Sequence, residues 1–541
     1  MTAPETMLDL LRSTAASHGS AVAVRMCDGD EQVTYQELLA RVEVAAAGLL
    51  AAGFRRGDSI ALWLPSSIEW VVLEFAAAGL GILVVPLNTR YKTAEVAHLL
   101  SVGRAVALVF APGFHGVDFA AMVANVLATA TEDVTRRLRL LMTVDDDLPA
   151  GFDAGGREVL TYDALMAGGS DAPAWTGQPD DHMNVFGTSG TTSFPKLASH
   201  DQQTIVRHAR MASRALHLSP DDRMLCFLPF CGTFGFVALM ATLAAGGRAV
   251  VQPVYGHDAA VAAVRDQGIT ILLATEAIIR GMFASAAAGA EAFATWRRGV
   301  VAGVSVRDLV DRADREWGLT MRNVYGSSEL FAVMAVWNPT DSGEVRSIPG
   351  GRLVADDMYV RAVDPRTGEP VAEGETGELQ FSGYNVTRGY LSNDKANADA
   401  FTADGWYRSN DRGRVLEGGR AFEYFSRLAD TLRLRGYLVS PAEIEEFLIS
   451  TDPIAEAQVV GVPDDATGDD HAVAFVKVAS GVSIEPEQVR ELCRAALAGW
   501  KVPDVVVLVD SYPTTPSANG EKVQKNRLRD MAVEALLAKQ V

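Results

Sequence analysis

Cysteine is scarce in this sequence. Cys27, Cys226, Cys231 and Cys493 are scattered through 541 residues with no CxxC pair. A disulfide framework and a cysteine-rich zinc site are therefore not expected, and a reduced, cytoplasmic setting is. Positive charge is also short: 48 Lys and Arg face 68 Asp and Glu, a net charge of -20. That balance argues against nucleic acid or an anionic membrane as partner. Any phosphate-binding site must then be a local positive spot in an acidic field. The longest uncharged apolar stretch, Gly232 to Gly247, is shorter than a membrane span and reads as a buried helix. The opening MTAPETMLDLLRS carries acids and no long apolar run, so it is not read as a secretory signal. What remains is a globular composition, 48% hydrophobic and 21% charged, in a chain longer than one core usually serves. Two or more domains are expected.

The first part alternates helical and strand patterns. Tyr35–Ala52 is an Ala/Leu-rich helix closed by Gly53, and Ser59–Leu64 is an apolar strand stopped by Pro65. Ile68–Ala78 is helical and Ile82–Leu87 extended; the strand pattern recurs at Val106–Phe110, Arg223–Phe230, Ala249–Val254 and Ile269–Ala274. Strands that are apolar almost throughout, with helices between, predict mostly parallel sheets covered on both faces. After about residue 340 the character changes. Asp364 to Glu369 is a hairpin signal, and Gly377–Phe381 and Arg414–Glu417 read as short antiparallel strands. Beyond Arg427 comes a small α+β pattern: helices at Pro441–Ile449 and Glu487–Ala498, strands at Ala457–Gly461 and Ala472–Val478. The expected division is a core of residues 1–426, with a β-rich subdomain over about 340–426, and a C-terminal domain of 427–541 starting near Ser426–Asp430.

The run Thr188-Ser189-Gly190-Thr191-Thr192-Ser193-Phe194-Pro195-Lys196 packs hydroxyls, a glycine and one ammonium into a loop. Such a loop can hold phosphate through O–H groups, backbone N–H groups and the lysine, or it can be a plain Ser/Thr-rich surface turn. It is not the P-loop of NTPases, because Pro195 stands where that motif needs its second glycine. Four further segments come after it in order: Tyr325-Gly326-Ser327-Ser328-Glu329, Trp406 to Asp411, Arg427 to Gly436 with Pro441 to Glu445 behind it, and Pro513 to Lys522.

This ordered set resembles the ATP-dependent adenylate-forming superfamily of acyl-CoA synthetases, peptide-synthetase adenylation domains and luciferases. The resemblance runs from Gly57-Asp58 to Lys522 and includes Gly377-Glu378-Leu379, Gly383 and Gly389-Tyr390. It implies a large mostly parallel α/β domain with a β-rich subdomain and a small mobile C-terminal domain. It also implies ATP and Mg²⁺, with CoA or a separate carrier protein as thiol acceptor. Thr188, Ser189, Gly190, Thr191, Thr192 and Lys196 would cradle the triphosphate, Glu329 would hold Mg²⁺, and the Ser328 hydroxyl would reach the α-phosphate. Tyr325 would pack on adenine, and Asp411 and Arg427 would hold the ribose. Lys522 would be the catalytic cation between the attacking carboxylate and the α-phosphate, with Lys525 a nearby competitor. After domain rotation a face near Gly436 would line the thiol tunnel.

The chain also departs from the family pattern. Ser193 and Leu197 replace glycines, which restricts φ/ψ, and Ser328 replaces threonine. Asn519-Gly520-Glu521-Lys522 replaces Ser-Gly-Lys, and Ala429 stands at the usual Asp/Lys pivot beside Asp430. Gly232 stands where an aromatic or histidine is common. The acid pocket is expected around Phe230 to Phe236, Ala302-Gly303-Val304 and Val324 to Val333. Its first segment lacks the aspartate that would pair with a substrate ammonium, so an apolar or aromatic acid is expected and an α-amino acid is not. Pro86 to Tyr91 also resembles acyl- or aryl-CoA ligases, and no carrier domain is expected after Lys522. Two other readings stay open: adenylation of a small oxyanion such as nitrite for diazotisation of an aryl amine, and a catalytically impaired nucleotide-binding protein.

Overall fold

The computed structural model describes residues 5–144, 148–169, 173–188, 195–434, 437–464, 469–479, 481–517 and 520–539. They form two units, Met1–Tyr359 with Ser382–Tyr407, and Val360–Phe381 with Arg408–Val541. The boundary expected near Ser426–Asp430 lies inside the second unit, which takes in residues 360–381 and 408–426 of the expected β-rich subdomain while the rest of it belongs to the first unit.

The first unit contains two sheets. One runs Glu158–Thr161, Leu140–Thr143, Ala107–Phe110, Ser59–Trp63, Leu83–Pro86, His182–Thr188, Lys196–Asp201. Its pairs are parallel except the last, where Lys196–Asp201 folds back antiparallel on His182–Thr188. The second sheet has a parallel centre in the order Thr320–Tyr325, Arg298–Ala302, Ile271–Thr275, Arg223–Cys226, Arg248–Val251, Val22–Met26. Mostly parallel sheets follow from strands with no polar face: Ser59–Trp63 is buried at every position.

Helices pack against both sheets. Ile68–Leu80 starts where the Ser67 hydroxyl accepts from the Trp70 N–H and stops at Gly81, φ 70°. Nearly every side chain on it is buried, including Glu74. The Gly232–Gly247 stretch forms the helix Thr233–Ala244, buried at all but one position, so its long apolar run is a core helix. The expected strand Arg223–Phe230 ends at Cys226, and residues 227–232 form the turn before that helix.

Most of a meander of Met358–Val363, Thr376–Gly383, Tyr407–Leu416 and Ala421–Arg427 belongs to the second unit. Beyond it, Ile454–Pro463, Asp470–Val478 and Val505–Leu508 form a small sheet. Helices Pro441–Ile449 and Pro486–Ala496 bury Ile444, Leu448, Val489 and Cys493 in its core. The hairpin Thr514–Ser517 with Gly520–Val523 carries Lys522 opposite Thr515.

Candidate active site

Parallel sheets gather loops at the carboxyl ends of their strands, where ligands of such folds bind. In the first unit, Thr188 ends one strand and Tyr325 ends another. Thr188 is buried and lies in register with Lys196 across the antiparallel pair. Ser189, Gly190, Thr191, Thr192 and Ser193, between them, lie outside the described residues, as does Gly436. Leu197 explains one departure: it is a regular strand residue whose side chain joins the core with Trp63 and Tyr91. Opposite it, a Cβ at Gly187 would come within 3.0 Å of the Tyr91 hydroxyl, a tight approach that the Tyr91 side chain would have to relieve.

Residues 387–391 lie along the strand Lys196–Asp201. The Ser199 N–H donates to the Gly389 carbonyl at 3.0 Å, and the Leu391 N–H donates to that of Leu197 at 2.8 Å. This pairing sets Tyr390 beside Lys196 and Glu329. Its hydroxyl donates to Glu329 Oε1 at 2.8 Å, and Lys196 Nζ lies 4.9 Å from its ring centre. Tyr407 is buried beside this pair. Burial, then the Glu329 carboxylate, holds its phenol well above the ordinary range. A lysine, a glutamate and two phenols therefore meet where the sequence expects polyphosphate. Glu329 Oε2 carries no hydrogen bond among the described residues, so the group offers one carboxylate oxygen. That suits Mg²⁺, which takes one or two carboxylates and completes its shell with phosphate and water.

Ser328 and Glu329 stand on a loop under strain. Phe331, Ala332 and Val333 have φ of 59°, 50° and 34°, a left-handed run without a glycine. Each such residue costs roughly 1–2 kcal/mol. The loop turns so tightly that a Cβ at Gly326 would sit 2.6 Å from the Ala332 Cα. External donors hold its carbonyls. His200 Nε2 lies 2.7 Å from the Ser328 oxygen, and the Thr387 N–H donates to Glu329 at 2.7 Å. Asn385 Nδ2 donates to Leu330 at 2.8 Å, and His208 Nε2 lies 2.9 Å from the Ala332 oxygen. Hydrogen bonds worth about 0.5–1.5 kcal/mol each, with Phe331 fully buried, are of the size needed to offset the strain. Tyr390 was visible in sequence only as part of a Gly-Tyr pair. His200, His208 and Asn385 carried no local signal beyond His200 lying four residues after Lys196.

The expected acid-pocket segment is partly core. Phe230 and Phe236 are buried against Trp70 at 5.3 and 6.0 Å, and Phe236 also meets Phe186 and Phe331. Gly232 caps the helix Thr233–Ala244 with an ordinary negative φ of -111°, so that glycine is not required by the backbone.

In the second unit, Asp411 and Arg427 face each other across the pair Tyr407–Leu416 and Ala421–Arg427. Arg427 Nη1 lies 3.0 Å from Asp411 Oδ1 and donates to the Ser409 carbonyl at 2.9 Å. Asp411 is only 3% exposed while Arg427 is open to solvent. Lys522 is exposed, and Lys525, its competitor, is engaged by Glu445 at 3.3 Å. Ala429 lies in the turn Leu428–Asp430, and Asp430 is paired with Arg529.

A family model described as AMP-binding enzyme matches residues 11–391, and one described as AMP-binding enzyme C-terminal domain matches residues 443–519. A 3-[(3aS,4S,7aS)-7a-methyl-1,5-dioxo-octahydro-1H-inden-4-yl]propanoyl:CoA ligase of Rhodococcus jostii (strain RHA1) is 31% identical over 97% of this chain and 99% of that protein. A 2-hydroxy-7-methoxy-5-methyl-1-naphthoate–CoA ligase of Streptomyces carzinostaticus is 29% identical over 94% of this chain and 90% of its own. Among solved structures, the anthranilate CoA ligase AuaEII in complex with anthranoyl-AMP shares the fold with TM-score 0.85 at 21% identity. It covers 100% of this chain and 99% of its own.

Proposed function

The chain belongs to the AMP-binding enzyme family and is an AMP-forming ligase, and from that premise we propose that it activates an apolar or aromatic carboxylic acid as an acyl-adenylate and transfers the acyl group to CoA. The meeting of Lys196, Tyr390 and Glu329 at the strand ends carries this reading. In the first half-reaction a carboxylate oxygen attacks the α-phosphorus of ATP, and the bond to the β-phosphate oxygen breaks to release pyrophosphate. Both partners are anions, so preorganised positive charge and donors lower the barrier. Lys196 with Thr188, Ser189, Gly190, Thr191 and Thr192 receives the triphosphate, and the Ser328 hydroxyl donates to the α-phosphate. Mg²⁺ on Glu329 supplies charge neutralisation for the phosphates.

Tyr325 packs on adenine, Arg427 and Asp411 bind the ribose, and Lys522 bridges the carboxylate and the α-phosphate. We take residues 427–541 as the domain that withdraws Lys522 and brings the face near Gly436 to the thiol. In the second half-reaction the CoA sulfur, having lost its proton, attacks the acyl carbon and AMP leaves. Cys231-Gly232-Thr233-Phe234 contains no carboxylate, which supports a substrate without an α-ammonium. The matched relatives are CoA ligases, which supports this reading over the oxyanion and impaired-protein readings and CoA over a carrier protein. Acid-dependent ATP–pyrophosphate exchange across a panel of carboxylates tests it. Exchange with an apolar or aromatic acid is expected; exchange with α-amino acids alone, or with none, overturns it.

A further inference from the structure

The loop that carries Ser328 and Glu329 is held by two histidines that no motif includes. His200 leaves the strand Lys196–Asp201 and His208 lies on the helix Gln202–Ala215, both with no exposed surface. Their rings flank Phe331, at centroid distances of 4.4 and 5.4 Å. Facing a carbonyl, each Nε2 must carry the hydrogen. His208 Nδ1, 3.1 Å from the Tyr384 hydroxyl, then accepts from it, and His200 Nδ1 is buried with no partner among the described residues. Burial pushes both rings down to about 4, so each is a neutral single donor at ordinary pH. A ring with one donor edge and one apolar face suits this place: it bonds a carbonyl while packing on Phe331.

We propose that His200 and His208 are positioning residues that clamp the Ser328 and Ala332 carbonyls, fixing the left-handed run 331–333 and so the direction in which Ser328 and Glu329 face the nucleotide. The carbonyls of Glu329 and Leu330, held by Thr387 and Asn385, lie between the two clamps. Losing either histidine releases one end of the run, and the strained residues relax toward ordinary backbone. The predicted cost falls on nucleotide binding more than on the fold, because the core around the loop remains. This rests on the reading of Glu329 and Ser328 as nucleotide ligands, yet the clamp itself can be measured without nucleotide.

The test compares glutamine and asparagine at each position in the full chain. Glutamine places an amide N–H close to where histidine Nε2 stands, and asparagine places it near Nδ1, too short to reach the carbonyl. Both are neutral and both remove the ring. Amide hydrogen exchange of a peptide spanning 325–334 reads the clamp, and calorimetric titration with Mg-ATP reads its consequence. His200→Asn and His208→Asn are expected to exchange the Ala332 and Met334 amides, which bond Ser327 and Tyr325, about tenfold faster. They should also weaken Mg-ATP by about tenfold, while the glutamine variants stay within about threefold of the parent. Equal exchange in the asparagine and glutamine variants would overturn the proposal. So would loss of folding in all four, which would make the rings general packing elements. Faster exchange in the asparagine variants of a parent that binds no Mg-ATP would keep the clamp and overturn the nucleotide reading instead.

Discussion

Tyr390 joins two opposite charges, since its hydroxyl donates to Glu329 and its ring faces Lys196. Removing that hydroxyl leaves the carboxylate free to rotate but keeps the ring. Tyr390→Phe is therefore expected to raise KM for Mg-ATP about fivefold to tenfold with a smaller change in kcat, and steady-state kinetics with varied Mg-ATP checks it. Lys522 stands on a hairpin opposite Thr515, with Lys525 already engaged by Glu445. Lys522→Ala should slow adenylation by about 10²–10³ while thioester formation from supplied acyl-AMP persists. Lys525→Ala should lose far less. The Thr188–Lys196 and Tyr325–Glu329 runs stand out in the sequence because their residue types are local and unusual together. The hydroxyl of Tyr390 does not, because its partner Glu329 lies 61 residues away. The histidine clamps were invisible for a further reason: their acceptors are backbone carbonyls, which every residue offers.

At the scale of elements, the loop 326–333 is the strained piece that the surrounding strands hold in shape. Its tightest approach is at Gly326, where an added Cβ would fall 2.6 and 2.7 Å from backbone atoms of Ala332. Backbone cannot swing aside as a side chain can. Gly326→Ala is expected to destabilise the first unit by about 1–3 kcal/mol and to weaken Mg-ATP binding, read by thermal melting and by calorimetry. A melting curve and affinity like those of the parent would show that the loop has more room than its geometry implies. The strands Ser59–Trp63 and Ala107–Phe110 were legible from their continuous apolar runs, whereas Lys196–Asp201 and Thr320–Tyr325, next to this loop, were not among the expected strands; helix Pro441–Ile449 was expected with the bounds it has. Strand ends were less so. The pattern Arg223–Phe230 stayed apolar past Cys226 because the turn after it is itself buried, so hydrophobicity alone did not mark the stop.

For the whole molecule, the balance of charge and burial adds a pH dependence. Glu74 sits with no exposed surface on a core helix, and burial pushes its carboxyl from the ordinary 4.5 up to about 8, with Asn184 alongside. A folded-state value above the unfolded one favours the protonated chain. Its contribution to stability is fully present below about 4.5 and is lost as pH rises toward about 8. Glu74→Gln should flatten that slope in chemical denaturation between these limits; an unchanged slope would place the dependence elsewhere. A change in character near residue 340 was visible in the sequence, and the greater part of the meander groups with the C-terminal residues. Its last strand, Ala421–Arg427, is tied to helix Pro441–Ile449, whose capping Ser440 hydroxyl donates to the Phe425 carbonyl at 3.1 Å. Composition does not reveal such a bond, because its acceptor is again a backbone carbonyl.

The central claim is a two-step reaction through an acyl-adenylate. Its most direct test is a single-turnover reaction of the parent enzyme with Mg-ATP and one acid from the exchange panel, quenched and read by mass spectrometry before and after CoA is added. An acid–AMP adduct is expected to accumulate without CoA and to convert to the acyl-CoA thioester, with release of AMP, once CoA is present. AMP released without any acid adduct, or an adduct that CoA leaves untouched, would contradict it.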